Sequence, residues 1–122
     1  MRILLVEDDP LNQEVALILL ENIGWQIDLA NDGRQAVERL VAQPYQLILM
    51  DMQMPVMDGL EATRRLRRMA GYAATPILAM TANVYEDDRL RCEAAGMNAH
   101  LGKPLDPGLL TQALARWLDP AS

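Results

Sequence analysis

The sequence predicts a parallel α/β fold made of five strand–helix units. Along the 122 residues, short apolar runs alternate with amphipathic stretches that are long enough for a helix. Continuous apolar runs are typical of strands buried on both faces, as in parallel sheets. Parallel strands need crossover connections, and right-handed crossovers place helices on both faces of the sheet. The length suits one domain, so we expect residues 1–122 to form a single domain.

Five apolar runs are the strand candidates. The first, Ile3–Val6, ends at three consecutive acids, and the third, Leu47–Met50, ends at Asp51. Between the runs lie turn-forming and charged residues, which are expected where strands stop. In chain order, the strands are predicted at residues 3–6, 25–30, 47–50, 76–80 and about 98–101.

Aspartate, proline and glycine mark the ends of the predicted helices. The pairs Asp9-Pro10 and Asp106-Pro107 each look like an N-cap followed by proline at the first helical position. The helices are predicted to begin at Asp9, Asp32, Asp58, about residue 85 and Asp106, with stops at Gly24, Pro44 and Gly96. Three of them carry apolar residues at helical spacing: Leu11, Val15, Ile18 and Leu19; Ala36, Val37, Leu40 and Val41; and Leu110, Ala113, Leu114 and Trp117.

Composition and charge exclude several classes of protein. The formal net charge of −6 argues against nucleic acid as a direct partner. No apolar run reaches the ~18–20 residues that span a bilayer, and the chain does not open with a cleavable signal pattern. The single cysteine, Cys92, cannot form an internal disulfide, and lone thiols suit a reducing compartment. We therefore expect a cytoplasmic domain that does not insert into a membrane.

Polar residues recur where four of the predicted strands end. In an open parallel sheet, ligands bind outside the carboxyl ends of the strands. The residues that should meet at this edge are Glu7, Asp8, Asp9, Asp51, Thr81 and Lys103. Crowded carboxylates repel each other, and a hard divalent cation with oxygen ligands, most simply Mg²⁺, relieves the repulsion.

This combination of residues also suits phosphoryl transfer. A carboxylate such as that of Asp51 is a competent nucleophile for forming an aspartyl phosphate. The transfer needs charge neutralisation and positioning, which the metal, the Lys103 ammonium and the Thr81 hydroxyl would supply. An Asp after a strand is usually a helix cap or a turn residue, and both interpretations stay open for Asp9, Asp32 and Asp58, while the cap is preferred for Asp106. Asp51 differs because it ends a fully apolar run and no helix start follows it.

Four motifs in chain order resemble those of response-regulator receiver domains. They are LLVEDDP at residues 4–10, MDMQMPVMDG at residues 50–59, Met80-Thr81-Ala82, and Lys103-Pro104. The resemblance covers essentially the whole chain. It implies the flavodoxin-like (βα)5 fold, with a five-stranded parallel sheet in the order 2-1-3-4-5 and helices on both faces.

The resemblance also implies a metal-binding set around the phosphoacceptor. Asp51 matches the residue that is phosphorylated in the family. Asp8 matches the acid that binds Mg²⁺ directly, and Glu7 matches the neighbouring acid, which acts through a metal-bound water. Gln53 would offer its backbone carbonyl to the metal.

Three further positions match the family's phosphate-contacting and switch residues. Lys103 would contact the phosphoryl group, and Thr81 would move to hydrogen-bond it. The switch position on the fifth strand, commonly Tyr or Phe, is His100 here. A lone His is more often structural, so a structural role and a pH-sensitive switch both stay open for it. The surface of the fourth helix, fifth strand and fifth helix would respond to phosphorylation.

The implied function is Mg²⁺-dependent transfer of a phosphoryl group from phosphohistidine to Asp51 in a two-component phosphorelay. The donor would be a histidine kinase or a histidine phosphotransfer domain. The segments PLNQ at residues 10–13 and EAAGM at residues 93–97 resemble receivers of hybrid sensor histidine kinases, whose parent chain can be membrane-anchored. We expect a monomer that assists its own phosphorylation and dephosphorylation and has no separate enzymatic activity.

Three other functions can be weighed against this one. A receiver-like domain that binds a partner without phosphorylation is the main alternative. A flavin-binding electron carrier of the same fold would need a Ser/Thr/Gly-rich phosphate loop after the first strand, where this chain has Glu7-Asp8-Asp9. A phosphatase with an aspartyl nucleophile would carry Asp-x-Asp at the first strand, whereas the candidate nucleophile here ends the third.

Overall fold

The computed structural model has alternating strands and helices, as the sequence predicts. It describes residues 2–20, 25–52, 59–69, 71–72, 75–81, 90, 93–102 and 105–118. The strands are β1 (Arg2–Val6), β2 (Gln26–Ala30), β3 (Leu47–Asp51), β4 (Ile77–Thr81) and β5 (Ala99–Gly102). The helices are α1 (Pro10–Leu20), α2 (Gly33–Ala42), α3 (Gly59–Arg68) and α4 (Pro107–Leu118), the last being the fifth helix of the predicted pattern.

All five strands run parallel in one sheet, in the order β2-β1-β3-β4-β5. This confirms the predicted flavodoxin-like fold. The register pairs Val6 of β1 with Met50 of β3, and Asp51 with Met80 of β4. The acids that follow β1 and the acid that ends β3 therefore lie side by side at one edge of the sheet.

Two apolar layers cover the two faces of the sheet. Alternate side chains point to opposite faces of a strand, and the two cores accordingly take alternate residues of β1, β3 and β4. One core joins the sheet to α2 and α3, and the other joins it to α1 and α4. The residues from Ile3 to Val6 and from Leu47 to Met50 are completely buried, and each large apolar side chain among them stabilises the fold by about 1.5–3 kcal/mol.

The predicted aspartate caps are present at three helices. Asp32 Oδ1 accepts a hydrogen bond from the Gln35 amide at 2.8 Å, and Asp106 Oδ1 accepts one from the Leu109 amide at 3.0 Å. At α1, Asp9 Oδ1 accepts one from the amide of Leu11 at 2.9 Å. These bonds satisfy backbone donors that the first turn of a helix leaves without an intrahelical partner. No helix in the described parts of the chain is long and apolar enough to cross a membrane.

The buried face of α1 matches the predicted apolar face only in part. Leu11 and Ile18, which share helical spacing, are 67% and 59% exposed. The helix packs through Ala16 and Leu20, which are buried in the core shared with α4, and Leu17 and Leu19 pack against the same core. The contact face therefore includes Leu19 of the predicted face but not Leu11 or Ile18.

Some sequence predictions lie outside the described residues. They are the stop at Gly24, the cap at Asp58, the Lys103-Pro104 pair and most of the helix predicted from about residue 85. Of that helix, residues 90 and 93–95 are described and are helical. Gly96 follows with φ +107°, a left-handed conformation that commonly ends a helix and that glycine adopts without strain. The predicted stop at Gly96 is therefore confirmed.

Candidate metal centre

Three carboxylates meet where β1 and β3 end. Glu7, Asp8 and Asp51 each offer one oxygen to a group whose members all lie within 4.8 Å of one another. Glu7 is 1% exposed and Asp51 is 2% exposed, whereas Asp8 faces solvent. Glu7 and Asp8 follow β1 directly, and Asp51 is the last residue of the adjacent β3. The structure thus brings together the three acids that the sequence predicts as metal ligands.

The backbone of Glu7 is fixed from both sides. Its amide donates to the carbonyl oxygen of Ala30, at the end of β2, at 3.0 Å. Its carbonyl oxygen accepts a hydrogen bond from Gln13 Nε2 at 2.5 Å, and the same nitrogen donates to Asn31 Oδ1 at 2.8 Å. The segment that carries the acids is therefore tied both to β2 and to the first turn of α1.

The Glu7 carboxylate is held by the start of α1 as well. Its Oε1 accepts hydrogen bonds from the amide of Asp9 and from Asn12 Nδ2, each at 3.3 Å. Asn12 and Gln13 are not among the site residues predicted from the sequence. A signal for them was present: both are amides in the first turn of a helix that begins directly after the acids, a position from which they can reach back.

The other predicted site residues are described in part. Thr81 ends β4 and pairs in register with Gly102 of β5, so its backbone lies at the same edge as the acids. The Thr81 side chain, Gln53 and Lys103 lie outside the described residues. His100 is half-buried in β5 and lines a groove of about 410 Å³ between that strand and α4, together with Trp117.

The chemistry of the acidic group fits a divalent cation. Two unit charges about 4 Å apart repel by roughly 4 kcal/mol at the effective dielectric of a protein surface. Carboxylate oxygens are ligands that Mg²⁺ prefers, and this ion commonly binds through one or two carboxylates while keeping waters that phosphoryl oxygens can replace. The solvent-facing Asp8 leaves a route for an ion to reach the buried Glu7 and Asp51.

The comparisons with known proteins agree with this geometry. Residues 3–115 match the family model of the response regulator receiver domain. The chain is 36% identical over 117 residues to the signal transduction histidine-protein kinase BarA of Escherichia coli (strain K12). The match covers 96% of this chain but 13% of that kinase, so the chain spans a small part of the length of such relatives.

Two solved structures are similar in both fold and sequence. The receiver domain of the sensor histidine kinase PA1611 from Pseudomonas aeruginosa PAO1, which holds a magnesium ion in its active-site cleft, is 44% identical with a TM-score of 0.89. That match covers 96% of each chain. The receiver domain of Ssk1 from Saccharomyces cerevisiae, solved with the histidine phosphotransfer protein Ypd1, is 28% identical with a TM-score of 0.87, and the match covers 96% of this chain and 88% of that one. The resemblance to receivers of sensor histidine kinases is confirmed.

Proposed function

Since the chain belongs to the response regulator receiver domain family, we propose that its Asp51 accepts a phosphoryl group from a phosphohistidine in a two-component phosphorelay. One observation carries the assignment: the carboxylates of Glu7, Asp8 and Asp51 converge within 4.8 Å at the carboxyl ends of β1 and β3. In the transfer, an Asp51 carboxylate oxygen forms the new O–P bond while the N–P bond of the donor imidazole breaks.

The same acids would hold Mg²⁺. Asp8 and Asp51 would bind it through carboxylate oxygens, Gln53 through its backbone carbonyl, and Glu7 through a bound water. When bound, the ion supplies positive charge that offsets the carboxylates and the phosphoryl oxygens. The convergence of the buried Glu7 and Asp51 with Asp8 supports this assignment, because a divalent cation relieves the repulsion between crowded carboxylates.

Residues on β4 and β5 would complete the site and pass on the signal. We assign Lys103 to contact with the phosphoryl group and Thr81 to a hydrogen bond with it. Thr81 and His100 would then shift the domain between two conformations. The positions of Thr81 and Gly102, side by side at the edge that carries the acids, support these assignments.

The donor would be a histidine kinase or a histidine phosphotransfer domain. The support is the similarity to receivers within sensor histidine kinases and to a receiver solved with a phosphotransfer protein. We also propose that the chain is part of a hybrid kinase, that it lies in the cytoplasm and that it is monomeric. The presence of all three acids speaks against an interaction domain that works without phosphorylation.

The test is incubation with Mg²⁺ and acetyl phosphate, followed by intact-mass measurement. We expect a labile phosphoryl adduct that disappears in Asp51→Asn or with a chelator and that Lys103→Ala reduces. Asp32→Asn is the matched control and should label normally, because asparagine also caps a helix. An adduct that survives in Asp51→Asn would rule out Asp51, and labelling that continues in chelator would rule out the metal. No adduct with either acetyl phosphate or a phosphohistidine donor would favour the interaction domain.

A further inference from the structure

The side chain of Asn12 lies between two of the acids that follow β1. Its Nδ2 is 3.3 Å from Glu7 Oε1 and 3.4 Å from Asp9 Oδ2. An amide nitrogen has two hydrogens, so one group can serve both carboxylates. Asn12 is on the first turn of α1, and its backbone is fixed by a helix that is anchored in the core through Ala16 and Leu20.

The two carboxylates that Asn12 contacts, those of Asp9 and Glu7, have different roles. Asp9 already uses Oδ1 to cap α1, accepting from the Leu11 amide at 2.9 Å. Asn12 contacts the other oxygen of Asp9 at 3.4 Å, so the cap itself does not depend on it. On Glu7 it engages Oε1, an oxygen of a residue that belongs to the acidic group with Asp8 and Asp51. One neutral side chain therefore contacts both the acid that caps α1 and an acid of the metal site.

A neutral donor suits this place better than a charged one. A lysine or arginine beside Glu7 would offset the carboxylate charge that attracts the metal. An amide fixes the orientation of the carboxylate without adding a competing cation. Hydrogen bonds to ligating groups usually have this function, and their loss typically weakens metal affinity 10- to 100-fold. Glu7 would act through a metal-bound water, so we expect an effect at the lower end of that range.

Gln13 supports the same arrangement from the backbone. Its Nε2 joins the carbonyl oxygen of Glu7 to the side-chain oxygen of Asn31, which follows β2. The backbone of Glu7 is thus held independently of Asn12. Loss of the Asn12 amide should therefore remove one of the hydrogen bonds that orient the Glu7 carboxylate while the strand end stays in place.

We propose that Asn12 is a positioning residue for the metal site, which orients the Glu7 carboxylate. The inference rests on the proposed function, because it assumes that Glu7, Asp8 and Asp51 bind Mg²⁺. It adds a residue outside the acidic group that determines how tightly the ion binds.

The test is the Mg²⁺ dissociation constant, measured by calorimetry on the wild type, Asn12→Ala and Asn12→Leu. Leucine resembles asparagine in shape but has no donor. We expect both variants to bind Mg²⁺ about tenfold more weakly. Gln112→Ala, which removes an exposed amide from α4, is the matched control and should bind like the wild type. Asp8→Asn should lose most of the affinity.

Two further measurements separate positioning from a structural role. Urea unfolding in chelator should have the same midpoint in Asn12→Leu as in the wild type. Phosphorylation of Asp51 by acetyl phosphate should need about ten times more Mg²⁺ for half-maximal rate but reach a similar maximum. A lower midpoint in chelator, or a lower maximum at saturating Mg²⁺, would assign Asn12 a structural role instead.

The two proposals fail in distinguishable ways. If the wild type takes up Mg²⁺ and a phosphoryl group while both Asn12 variants bind Mg²⁺ as tightly, only the positioning role is wrong. If the wild type itself binds no Mg²⁺, the metal site is wrong and the role of Asn12 falls with it.

Discussion

Tyr45 is the clearest case of a single residue whose ionisation is coupled to folding. It is 3% exposed, and its hydroxyl donates to Asp28 Oδ2 at 2.6 Å. The same oxygen accepts from Gln43 Nε2 at 3.0 Å and from Arg2 Nη1 at 3.3 Å. Burial, followed by the hydrogen bond to Asp28, raises the pKa of Tyr45 from 10.0 to about 12. The folded protein therefore favours the neutral phenol.

This raised pKa predicts how stability depends on alkaline pH. In the unfolded chain Tyr45 ionises near pH 10, whereas in the folded protein it stays protonated to about pH 12. Its contribution to stability is therefore complete below pH 10 and declines as the pH rises toward 12, by at most ~1.4 kcal/mol per pH unit. Tyr45→Phe should remove this decline, so the difference in unfolding free energy between wild type and variant should shrink over that interval. Parallel curves, measured by urea unfolding at a series of pH values, would contradict the assignment.

At the scale of elements, Arg67 joins the end of α3 to two other parts of the chain. Its Nη1 donates to the carbonyl oxygens of Tyr72 at 2.9 Å and Thr75 at 2.6 Å. Its Nε and Nη2 donate to the carbonyl oxygen of Gly96 at 2.9 and 2.6 Å, and Nη2 also donates to Asn98 Oδ1 at 2.7 Å. The segments before β4 and β5 are thereby attached to one helix.

Because the planar guanidinium of Arg67 donates to several acceptors at once, its substitution should have a large effect on the free energy of unfolding. Arg67→Ala should lower the free energy of unfolding by about 2–3 kcal/mol, because several backbone carbonyls lose their donor. Arg67→Lys should recover little, since an ammonium cannot reproduce this planar geometry. Arg68→Ala, on the exposed side of the same turn, is the control and should change stability by less than ~0.5 kcal/mol. Urea unfolding of the three variants measures this, and equal effects of Arg67→Ala and Arg68→Ala would contradict it.

Arg67 also limits what can replace Gly96. A Cβ atom built on Gly96 would lie 3.0 Å from Arg67 Cγ, and the φ of +107° disfavours other residues independently. The glycine that stops the preceding helix is thus also a site where α3 approaches closely. Asn98 adds a link to the sheet, because its Oδ1 accepts from the amide of Ile77 at 2.9 Å.

At the scale of the whole molecule, folding brings three like charges together at the acidic site. Glu7 and Asp51 are nearly completely buried within 4.8 Å of each other and of Asp8. Their mutual repulsion is present in the folded state and largely absent in the unfolded chain, where the charges are far apart. A bound cation offsets this repulsion and stabilises the folded protein, because it binds the assembled site and not the separated acids.

Removing one charge should therefore stabilise the protein when no metal is present. Asp51→Asn in chelator should raise the free energy of unfolding by about 1 kcal/mol. Saturating Mg²⁺ should stabilise the wild type more than the variant and so reduce or invert the difference. Asp28→Asn is the control, and it should lower the free energy of unfolding. Asp28 accepts hydrogen bonds from Tyr45, Gln43 and Arg2, which the substitution weakens.

Urea unfolding of the wild type, Asp51→Asn and Asp28→Asn, each with and without Mg²⁺, gives the six free energies of unfolding. The expectation is contradicted if Asp51→Asn is the less stable protein in chelator, because the acidic group would then contribute net stability without a cation.

The sequence by itself determined the sheet and the acids at its edge. A strand buried on both faces must be continuously apolar, so Ile3–Val6 and Leu47–Met50 could be assigned from their residue types alone, and the acids that follow them could only lie at the strand ends. The caps at Asp32 and Asp106 could also be predicted from the local sequence, because a capping side chain bonds to the first turn of its own helix.

Only the tertiary structure decided which residues surround those acids and what fixes the connections. The exposure of Leu11 and Ile18 depends on which side of α1 faces the sheet, and the apolar residues of this helix are too numerous for their spacing to specify it. The contact of Asn12 with Glu7 depends on the angle at which α1 leaves β1. The hydrogen bonds of Arg67 to Gly96 span 29 residues. These long-range bonds require the strand order and the crossovers to be in place, so local sequence pattern carries no direct signal for them.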